Sequence, residues 1–164
     1  MLAVIIEEAM DPLSHLALTQ LIIGPGRAPR VAALAADLPF YSCYPVWVAR
    51  RGLLTAAIRD GTWPEPPAWL LTLHRASHSL LPGVALLVVS VALARRELRL
   101  AALSWLLHIL VDLPSHRRDP WGPRPIWPLS DLAFDGVGWA DLLAVWLARA
   151  ISTPQRAGAT KRQM

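Results

Sequence analysis

Cysteine, lysine and charge of either sign are scarce in this sequence of 164 residues. Its single cysteine, Cys43, excludes an intramolecular disulfide and any zinc site built from several cysteines. Charged residues make up 17% of the chain, against about 25% in an ordinary soluble domain, whereas hydrophobic residues make up 54%. These proportions exclude intrinsic disorder over most of the length and favour a membrane-embedded or membrane-associated protein.

Clean apolar runs of the ~20 residues that a helix needs to cross a bilayer are also missing. The longest charge-free piece, residues 76–94, contains His78 and Pro82. The sequence therefore predicts short, tilted or re-entrant membrane helices, or else the apolar helices of a compact soluble core. The apolar stretches are residues 13–23, 31–49, 80–94, 100–111 and 137–148.

The apolar stretches predict an all-α fold, a small bundle of about four to five short helices. Alanine and leucine dominate them, and the two-residue alternation of a half-buried strand is absent. Residues 1–153 are expected to form one domain, since the chain is too short for two cores. Residues 154–164 are polar and basic and predict a frayed tail. The N-terminus does not resemble a cleavable signal peptide, because no basic segment precedes its apolar residues.

Proline and glycine indicate where the helices end. The predicted breaks are Gly24–Gly26, an extended loop over residues 61–67, Pro82–Gly83 and residues 114–128. The basic segment Arg95–Arg99 predicts the turn of an antiparallel helical hairpin, cytoplasmic by the positive-inside rule. The far ends of that hairpin carry His78 and His108, which lie level only if the chain bends, and Pro82–Gly83 is the expected bend.

The basic residues are fifteen arginines and one lysine, and the formal net charge is +4. The arginines occur in small clusters between apolar stretches, a spacing typical of loops at a membrane surface rather than of a phosphate-binding stripe. We therefore expect membrane lipid as a partner and no nucleic acid, and the sequence indicates no protein partner.

Tryptophan, with eight copies, supports the membrane hypothesis. Trp63, Trp69, Trp121 and Trp127 lie in or beside proline-rich segments. Tryptophans at the ends of membrane helices commonly lie at the bilayer interface, and these four are predicted to lie there. For Trp105, packing in the core is an equal or better interpretation.

All five histidines lie four residues from another histidine or from a carboxylate. The pairs are Asp11 with His15, His74 with His78, His108 with Asp112, and Asp112 with His116. This spacing puts two side chains on one helix face a turn apart, where both can bind one cation. The 12 acidic residues and 5 histidines predict about one such pair by composition, whereas the chain has four. The excess predicts a metal site of histidine and carboxylate ligands.

The pair His108 and Asp112 carries the strongest signal, because Asp112 follows Leu, Ile and Val in an apolar run. A carboxylate there without a cation or a hydrogen-bond donor costs several kcal/mol, so we expect a metal ion or a hydrogen-bonded histidine beside it. His116 follows Pro114 and is expected to lie off the helix, where a loop ligand can close the site. Taken alone, the other pairs also fit structural roles, such as a surface pair or a backbone hydrogen bond.

Asp37 and Arg75 are further candidates. Asp37 is an isolated acid just before Pro39, and it is either a helix-end residue bonded to local amides or a ligand of the same cluster. Arg75 follows His74 and suits either a structural role or the binding of a substrate phosphate through its planar guanidinium.

Together these motifs resemble the bacterial membrane-bound, predicted metal-dependent hydrolases, a group distantly similar to zinc-dependent phospholipase C. The motifs, which follow the family's order, are DPLSH (11–15), ADLP (36–39), HRASHSLL (74–81), HILVDLPSH (108–116) and IWPLSD (126–131). The resemblance extends over residues 11–141. Where many members have an acidic Pro-Asp-x-Asp-His run, this chain has Ala36–Pro39, so two potential ligands are missing.

The resemblance implies a divalent metal centre, zinc before other ions, and hydrolysis of a phosphoester or lipid substrate at the bacterial inner membrane. The implied metal ligands are His15, Asp37, His74, His78, His108, Asp112 and His116. Asp37 and Asp112 are also candidate general bases, with Arg75 on the substrate phosphate. The alternatives are a non-catalytic membrane protein whose His/Asp site joins short helices, and a soluble helical domain with structural histidines.

Overall fold

The computed structural model describes residues 12–118 and 121–137, in which helices, turns and loops occur and no β-strand does. The elements are α1 Pro12–Ile22, α2 Arg27–Ala35, a π-helical turn Pro39–Cys43, α3 Tyr44–Arg50, α4 Leu54–Asp60, α5 Ala68–Ser77, α6 Leu80–Ala92 and α7 Arg96–Ser115. The all-α prediction is confirmed for these residues. The expected number of helices is too low: the described residues alone form seven α-helices, because a bend divides the stretch 31–49 into α2 and α3, and because α4 and α5 form outside the listed apolar stretches.

Three segments for which the sequence makes predictions lie outside the described residues. They are Asp11, nearly all of the apolar stretch 137–148, and the basic tail 154–164. The assignment of residues 1–153 to one domain stays a prediction.

The loop that follows α4 has the predicted extended form. Gly61 ends α4 with φ +71°, a left-handed conformation that glycine adopts without steric cost. Residues 61–67 then form no helix, and α5 begins directly after Pro67. Three prolines in this loop prevent helix formation, since each lacks the amide N–H that a helical hydrogen bond needs.

A sharp bend separates α2 from the helical segment that follows it. Pro39 has no N–H to donate to the carbonyl of Ala35, and α2 ends at Ala35. The chain continues through the π-helical turn into α3, at 63° to α2. Asp37 lies in this break. The proline that ends α2 therefore places the isolated acid outside regular helix.

The chain also bends between α5 and α6, by 42°. The break lies at His78 and Ser79, and the Ser79 hydroxyl caps α6 by accepting a hydrogen bond from the amide of Leu81. The predicted bend is confirmed, but its predicted position at Pro82–Gly83 is wrong. Pro82 lies in the first turn of α6, where a helix does not need the amide N–H that proline lacks.

Helices α6 and α7 pack as the predicted hairpin, and α1 and α2 pack against α7. The contact between α1, α2 and α7 is made by small and hydroxyl side chains. Thr19 Oγ1 lies 3.0 Å from Ser104 Oγ, and Ser104 Oγ lies 2.8 Å from the Pro29 carbonyl. Alanines fill the rest of this contact: Ala32, Ala33, Ala101 and Ala102 are buried. Such residues let helix backbones approach closely, as they do in membrane proteins.

A second apolar cluster lies among α3, α4 and α5, with Tyr44, Val48 and Leu70 at its centre. Trp63 and Trp121 pack on it, and both rings lie within 5.8 Å of the Tyr44 ring. These two tryptophans are therefore partly buried in the protein, and the bilayer-interface position predicted for them stays a prediction. Trp105 is partly buried too and donates its indole N–H to the Ser77 carbonyl.

Large apolar side chains cover the outside of the molecule, while polar ones lie inside. Val88 is 63% exposed and Leu21 82% exposed, whereas histidine, serine, threonine and aspartate side chains are buried. Within the described residues, α7 alone is long and apolar enough to cross a membrane. Two more spans result if each bent pair, α2 with Pro39–Arg50 and α5 with α6, is counted as one.

Candidate metal centre

Asp112 is the centre of a buried group of histidines. It lies on α7 with 0% of its surface exposed. Its Oδ1 is 3.1 Å from His15 Nε2 and 3.5 Å from His116 Nδ1. Its Oδ2 is 3.1 Å from His108 Nε2 and 3.6 Å from His78 Nε2. Each carboxylate oxygen thus faces two imidazole nitrogens.

Asp37 supplies a second carboxylate to the same group. Its Oδ1 lies 3.3 Å from His78 Nε2 and 3.6 Å from His108 Nε2. These two histidines therefore lie between Asp37 and Asp112. Two ligands that are each 2.0–2.1 Å from a tetrahedral zinc ion are about 3.3–3.4 Å apart. The four distances from the nitrogens of these two histidines to Asp37 and Asp112, 3.1–3.6 Å, are close to that spacing.

Most of these short contacts are not hydrogen bonds. His15 Nε2, His108 Nε2 and both oxygens of Asp112 are buried and lack a hydrogen-bond partner of acceptable geometry among the described residues. A buried carboxylate without hydrogen bonds costs several kcal/mol, and buried polar groups are nearly always satisfied. Nitrogen and oxygen atoms that lie 3.1 Å apart without bonding one another fit a pair of ligands whose lone pairs point at one shared cation.

The outer ring nitrogens hold two of the histidines in orientation. His108 Nδ1 lies 2.7 Å from the Ala33 carbonyl, and His78 Nδ1 lies 3.1 Å from the His74 carbonyl. A carbonyl accepts only from an N–H, so the His108 ring carries a proton on Nδ1, and its unpartnered Nε2 is the nitrogen that can bind a metal ion. His78 is hydrogen-bonded through both ring nitrogens, because its Nε2 also lies 3.3 Å from Asp37 Oδ1. Metal-ligating histidines are usually held in this way.

Three breaks in the helices bring these side chains together. His108 and Asp112 lie one turn apart on α7, as their spacing predicts, and His116 lies just past its end in extended backbone. Asp37 comes from the bend after α2 and His78 from the bend after α5. Burial lowers the pKa of the His116 imidazole, which favours the neutral ring that a metal ion binds.

His74 lies beside the centre, and one of its two ring nitrogens points away from the centre. Its ring is centred 3.9 Å from that of His78, and its Nε2 lies 2.9 Å from the Trp121 carbonyl. Its Nδ1 is buried without a hydrogen-bond partner among the described residues. The structure brings the other six predicted ligands into direct contact with one another; for His74 a ligand role stays a prediction.

Arg75 is half-buried, and its Nε has no hydrogen-bond partner in the described part of the chain. The role predicted for it on a substrate phosphate stays a prediction.

Ser77 is a supporting residue that sequence reasoning missed. Its hydroxyl lies 2.8 Å from the Ala36 carbonyl and 3.2 Å from His78 Nδ1. It thus links the two bends that carry Asp37 and His78. The carbonyl of Ala33, which orients His108, was missed too. No sequence signal marks either group, because every residue has a carbonyl and an isolated serine is common.

Residues 121–137 cross over the ends of α5 and α7. The Ser79 hydroxyl donates to the Trp127 carbonyl at 2.8 Å, and the Leu80 amide donates to the Pro125 carbonyl at 2.8 Å. Further along, the amide of Gly136 donates to the His116 carbonyl at 2.8 Å. This segment covers the centre from the side of the two helix ends.

No protein-family model, curated protein or solved structure matches this chain. Its function must therefore be inferred from the geometry of the centre itself. Over the described residues, the geometry defines an all-α protein with a buried cluster of histidines and aspartates that could hold a cation.

Proposed function

We propose that this protein is a membrane-embedded, metal-dependent hydrolase that cleaves a phosphoester, with lipid as the substrate class. One observation carries the proposal: four imidazole nitrogens lie 3.1–3.6 Å from the buried oxygens of Asp112, and both oxygens, with His15 Nε2 and His108 Nε2, lack a hydrogen-bond partner among the described residues. Imidazole and carboxylate ligands suit divalent ions, zinc before the others. The resemblance of the sequence motifs to membrane-bound hydrolases supports the same class.

The donors exceed what a closed structural site uses. Four protein ligands complete a tetrahedral structural zinc site, whereas a catalytic site keeps a position open for water. Six predicted ligands lie in contact here, which is more than the four that a structural metal site uses. This surplus favours catalysis over the alternative of a non-catalytic site that joins helices.

When bound, a divalent ion lowers the pKa of its water towards ~7 and so supplies a nucleophile at neutral pH. Asp37 Oδ2, buried and without a hydrogen-bond partner among the described residues, is placed to take a proton from the attacking water. The water oxygen bonds to phosphorus as the ester P–O bond breaks. The leaving alcohol then receives the proton from Asp37, and Arg75 pairs with the phosphate oxygens.

The distribution of side chains supports membrane embedding. Large exposed apolar residues, buried small residues and buried ionisable residues together are the arrangement of helices packed in lipid. In that setting α7 crosses the bilayer, with the arginines before it at the cytoplasmic side and the metal centre towards its other end. The bacterial inner membrane is the proposed location.

An apolar groove of about 540 Å³ between α2, α6 and α7 supports a substrate with a hydrocarbon chain. Its lining includes Leu86 and Trp105, and its charged residues, Arg27 and Glu97, belong to the first turns of α2 and α7. Trp105 also donates its indole N–H to the Ser77 carbonyl, so this wall of the groove is linked to the residue before His78.

The proposal is tested by elemental analysis and turnover together. Detergent-purified protein is measured for bound metal and assayed on phospholipids and on a model phosphodiester, beside His108→Ala and Asp112→Ala. We expect wild type to hold zinc or a similar ion and to hydrolyse at least one substrate. Both variants should lose the metal and the turnover, because each removes a donor from the central set.

Asp60→Asn is the matched control, since Asp60 pairs with Arg59 at the surface, away from the centre. It should keep metal and turnover. Wild type without metal, or His108→Ala with its full metal content, would sink the proposal. Metal without turnover on any substrate would favour the non-catalytic alternative.

Membrane embedding has its own test, which is fractionation of expressing cells followed by an alkaline carbonate wash of the membranes. We expect the protein to stay in the washed membrane pellet and to need detergent for extraction, because its outer surface is apolar. Recovery in the soluble fraction without detergent would contradict the membrane assignment and favour a soluble helical domain.

A further inference from the structure

We infer that the groove between α2, α6 and α7 binds an anionic phospholipid of the bilayer, with the phosphate on Arg27 and an acyl chain along the groove. The inference rests on the membrane embedding of the proposed function, but not on the metal centre or on turnover. Its basis is that charged side chains line one end of the groove and apolar side chains line the rest.

The groove exists because α2 and α6 both pack on α7 rather than on each other. Helix α7 lines it with Ala101 and Trp105, α6 with Leu86, and α2 mainly with alanines. These small side chains leave a space of about 540 Å³, which is within the range of ligand pockets in proteins. Its lining is apolar apart from Arg27 and Glu97, so the part of an occupant that lies along the groove is hydrocarbon.

Helices α2 and α7 run in the same direction, which determines the end at which the groove is charged. Ser104 bonds the Pro29 carbonyl. One turn later on both helices, His108 Nδ1 lies 2.7 Å from the Ala33 carbonyl. The first turns of α2 and α7, which carry the two charged lining residues, therefore lie at one end of the molecule. The metal centre lies towards the other end.

The charged end of the groove is strongly basic. The turns before α2 and α7 meet there, since a Cβ on Gly26 would lie 3.9 Å from Glu97 Oε2. Glu97 itself pairs with Arg96 at 3.7 Å. Arginines outnumber acids in this region, and all of the charged residues are exposed: Arg27, Arg30, Arg95, Arg96, Glu97 and Arg99. This end therefore attracts an anion, and the planar guanidinium of arginine suits a phosphate group.

A lipid with an anionic headgroup and a hydrocarbon chain matches both features of the site. In the proposed membrane orientation the basic end is cytoplasmic, so the headgroup lies at that surface and the chain extends towards the bilayer centre. Phospholipids of the cytoplasmic leaflet have this orientation, and their surface is negative. A substrate chain that enters from the metal centre lies in the opposite direction. The anionic lipid therefore competes with the chain of the proposed substrate for the groove.

Native mass spectrometry of the detergent-purified full chain tests the inference, with phosphatidylglycerol and phosphatidylcholine of identical acyl chains as probes. We expect wild type to retain one phosphatidylglycerol in preference to phosphatidylcholine. Arg27→Ala should reduce this preference about fivefold, which is the contribution of one arginine near a membrane surface. Arg50→Ala is the matched control, since Arg50 is an exposed arginine of α3 that does not line the groove. It should keep the preference of wild type.

Ala28→Leu tests the position of the chain, because the larger side chain fills part of the groove that Ala28 lines. We expect it to weaken the binding of both lipids. Ala56→Leu on α4, which does not line the groove, is its control and should bind both lipids as wild type does.

The headgroup site would be overturned by equal retention of the two lipids in wild type, or by an unchanged preference in Arg27→Ala. Unchanged binding in Ala28→Leu would overturn the groove as the place of the chain. Retention of neither lipid would overturn the inference as a whole and indicate another occupant, such as a second copy or another segment of this chain. All of these outcomes leave the metal and turnover tests of the proposed function standing, whereas recovery in the soluble fraction overturns membrane embedding itself.

Discussion

At the scale of single residues, the position of each ring proton decides what the histidines can do. A backbone carbonyl holds the Nδ1 proton of His108, so the Nε2 lone pair of the neutral ring faces the carboxylates, whereas His78 bonds the His74 carbonyl through Nδ1 and Asp37 through Nε2. A lone pair facing a carboxylate is repelled by it unless a cation lies between them. The carbonyls of His74 and Ala33 therefore contribute to the chemistry as much as the ligands that they orient.

Replacing Ser77 by alanine tests whether the groups behind the candidate ligands orient them. The variant removes a hydroxyl that bonds the Ala36 carbonyl and contacts His78 Nδ1. We expect metal affinity to fall by about 10- to 100-fold without loss of the fold, as is usual when a residue behind a metal ligand is removed. Competition with a chromophoric chelator measures the affinity.

The control for Ser77 is Thr72→Ala on the same helix, where an exposed hydroxyl bonds the Ala68 carbonyl. That variant should bind metal as wild type does. Equal affinity in Ser77→Ala and wild type would show that Ser77 does not orient His78.

At the scale of helices, the site depends on the places where the helices stop. Asp37, His78 and His116 all lie at a break or just past a helix end. A side chain on a continuous helix keeps its neighbours at i ± 4, whereas one at a break can turn towards another helix. Proline and serine, which produce these breaks, are therefore part of how the site forms.

Replacing Gly136 by alanine tests how the covering segment is held. A Cβ there would lie 2.5 Å from the Pro114 carbonyl oxygen and 2.7 Å from that of His116, so backbone would have to move. We expect a loss of stability of about 1–3 kcal/mol, as overpacking usually causes. Hydrogen exchange should also quicken at Val137, whose amide bonds the Pro114 carbonyl.

The matched control is Leu129→Ala in the same segment, because Leu129 is exposed and its loss creates no clash. Its exchange and stability should stay near those of wild type. An equally stable Gly136→Ala protein would mean that this segment tolerates displacement from the end of α7.

At the scale of the whole molecule, the usual distribution of polarity is inverted. Among the described residues, the buried set is dominated by alanine, histidine and serine and includes Asp112, and the exposed set contains many valines and leucines. With few large apolar residues buried inside, much of the stability must come from close helix contacts and from the polar centre. We therefore expect the proposed metal ion to stabilise the fold as well as to supply the chemistry.

Removal of the metal by a chelator should therefore lower the thermal unfolding midpoint by several degrees in detergent. A free ion concentration of 100 times the Kd stabilises the folded state by about 2.7 kcal/mol. Removal of the ion also leaves the carboxylates of Asp37 and Asp112 without a cation to balance their charge. Circular dichroism at 222 nm follows the transition. His108→Ala should show no response to the chelator, and an unchanged midpoint in wild type would contradict a stabilising ion.

Local rules along the chain are enough to predict the helical class, the extended loop at residues 61–67, the hairpin of α6 and α7, and the residues that gather at the centre. These rules are helix propensity, proline and glycine chemistry, and the i + 4 spacing on α7. The need to satisfy a carboxylate in an apolar run also singles out Asp112 from its sequence neighbours alone. Each of these rules acts over a few residues, so the amino-acid sequence contains all that they need.

The positions of the bends, and the side chains that the bends bring together, depend instead on tertiary contacts. The break lies at Ser79 rather than Pro82, Trp63 and Trp121 pack partly buried against Tyr44, and His74 turns towards a carbonyl. The division of the ligands between the two oxygens of Asp112 is also a tertiary feature. All of these arise from contacts between residues far apart in the chain, for which spacing along the sequence carries no signal.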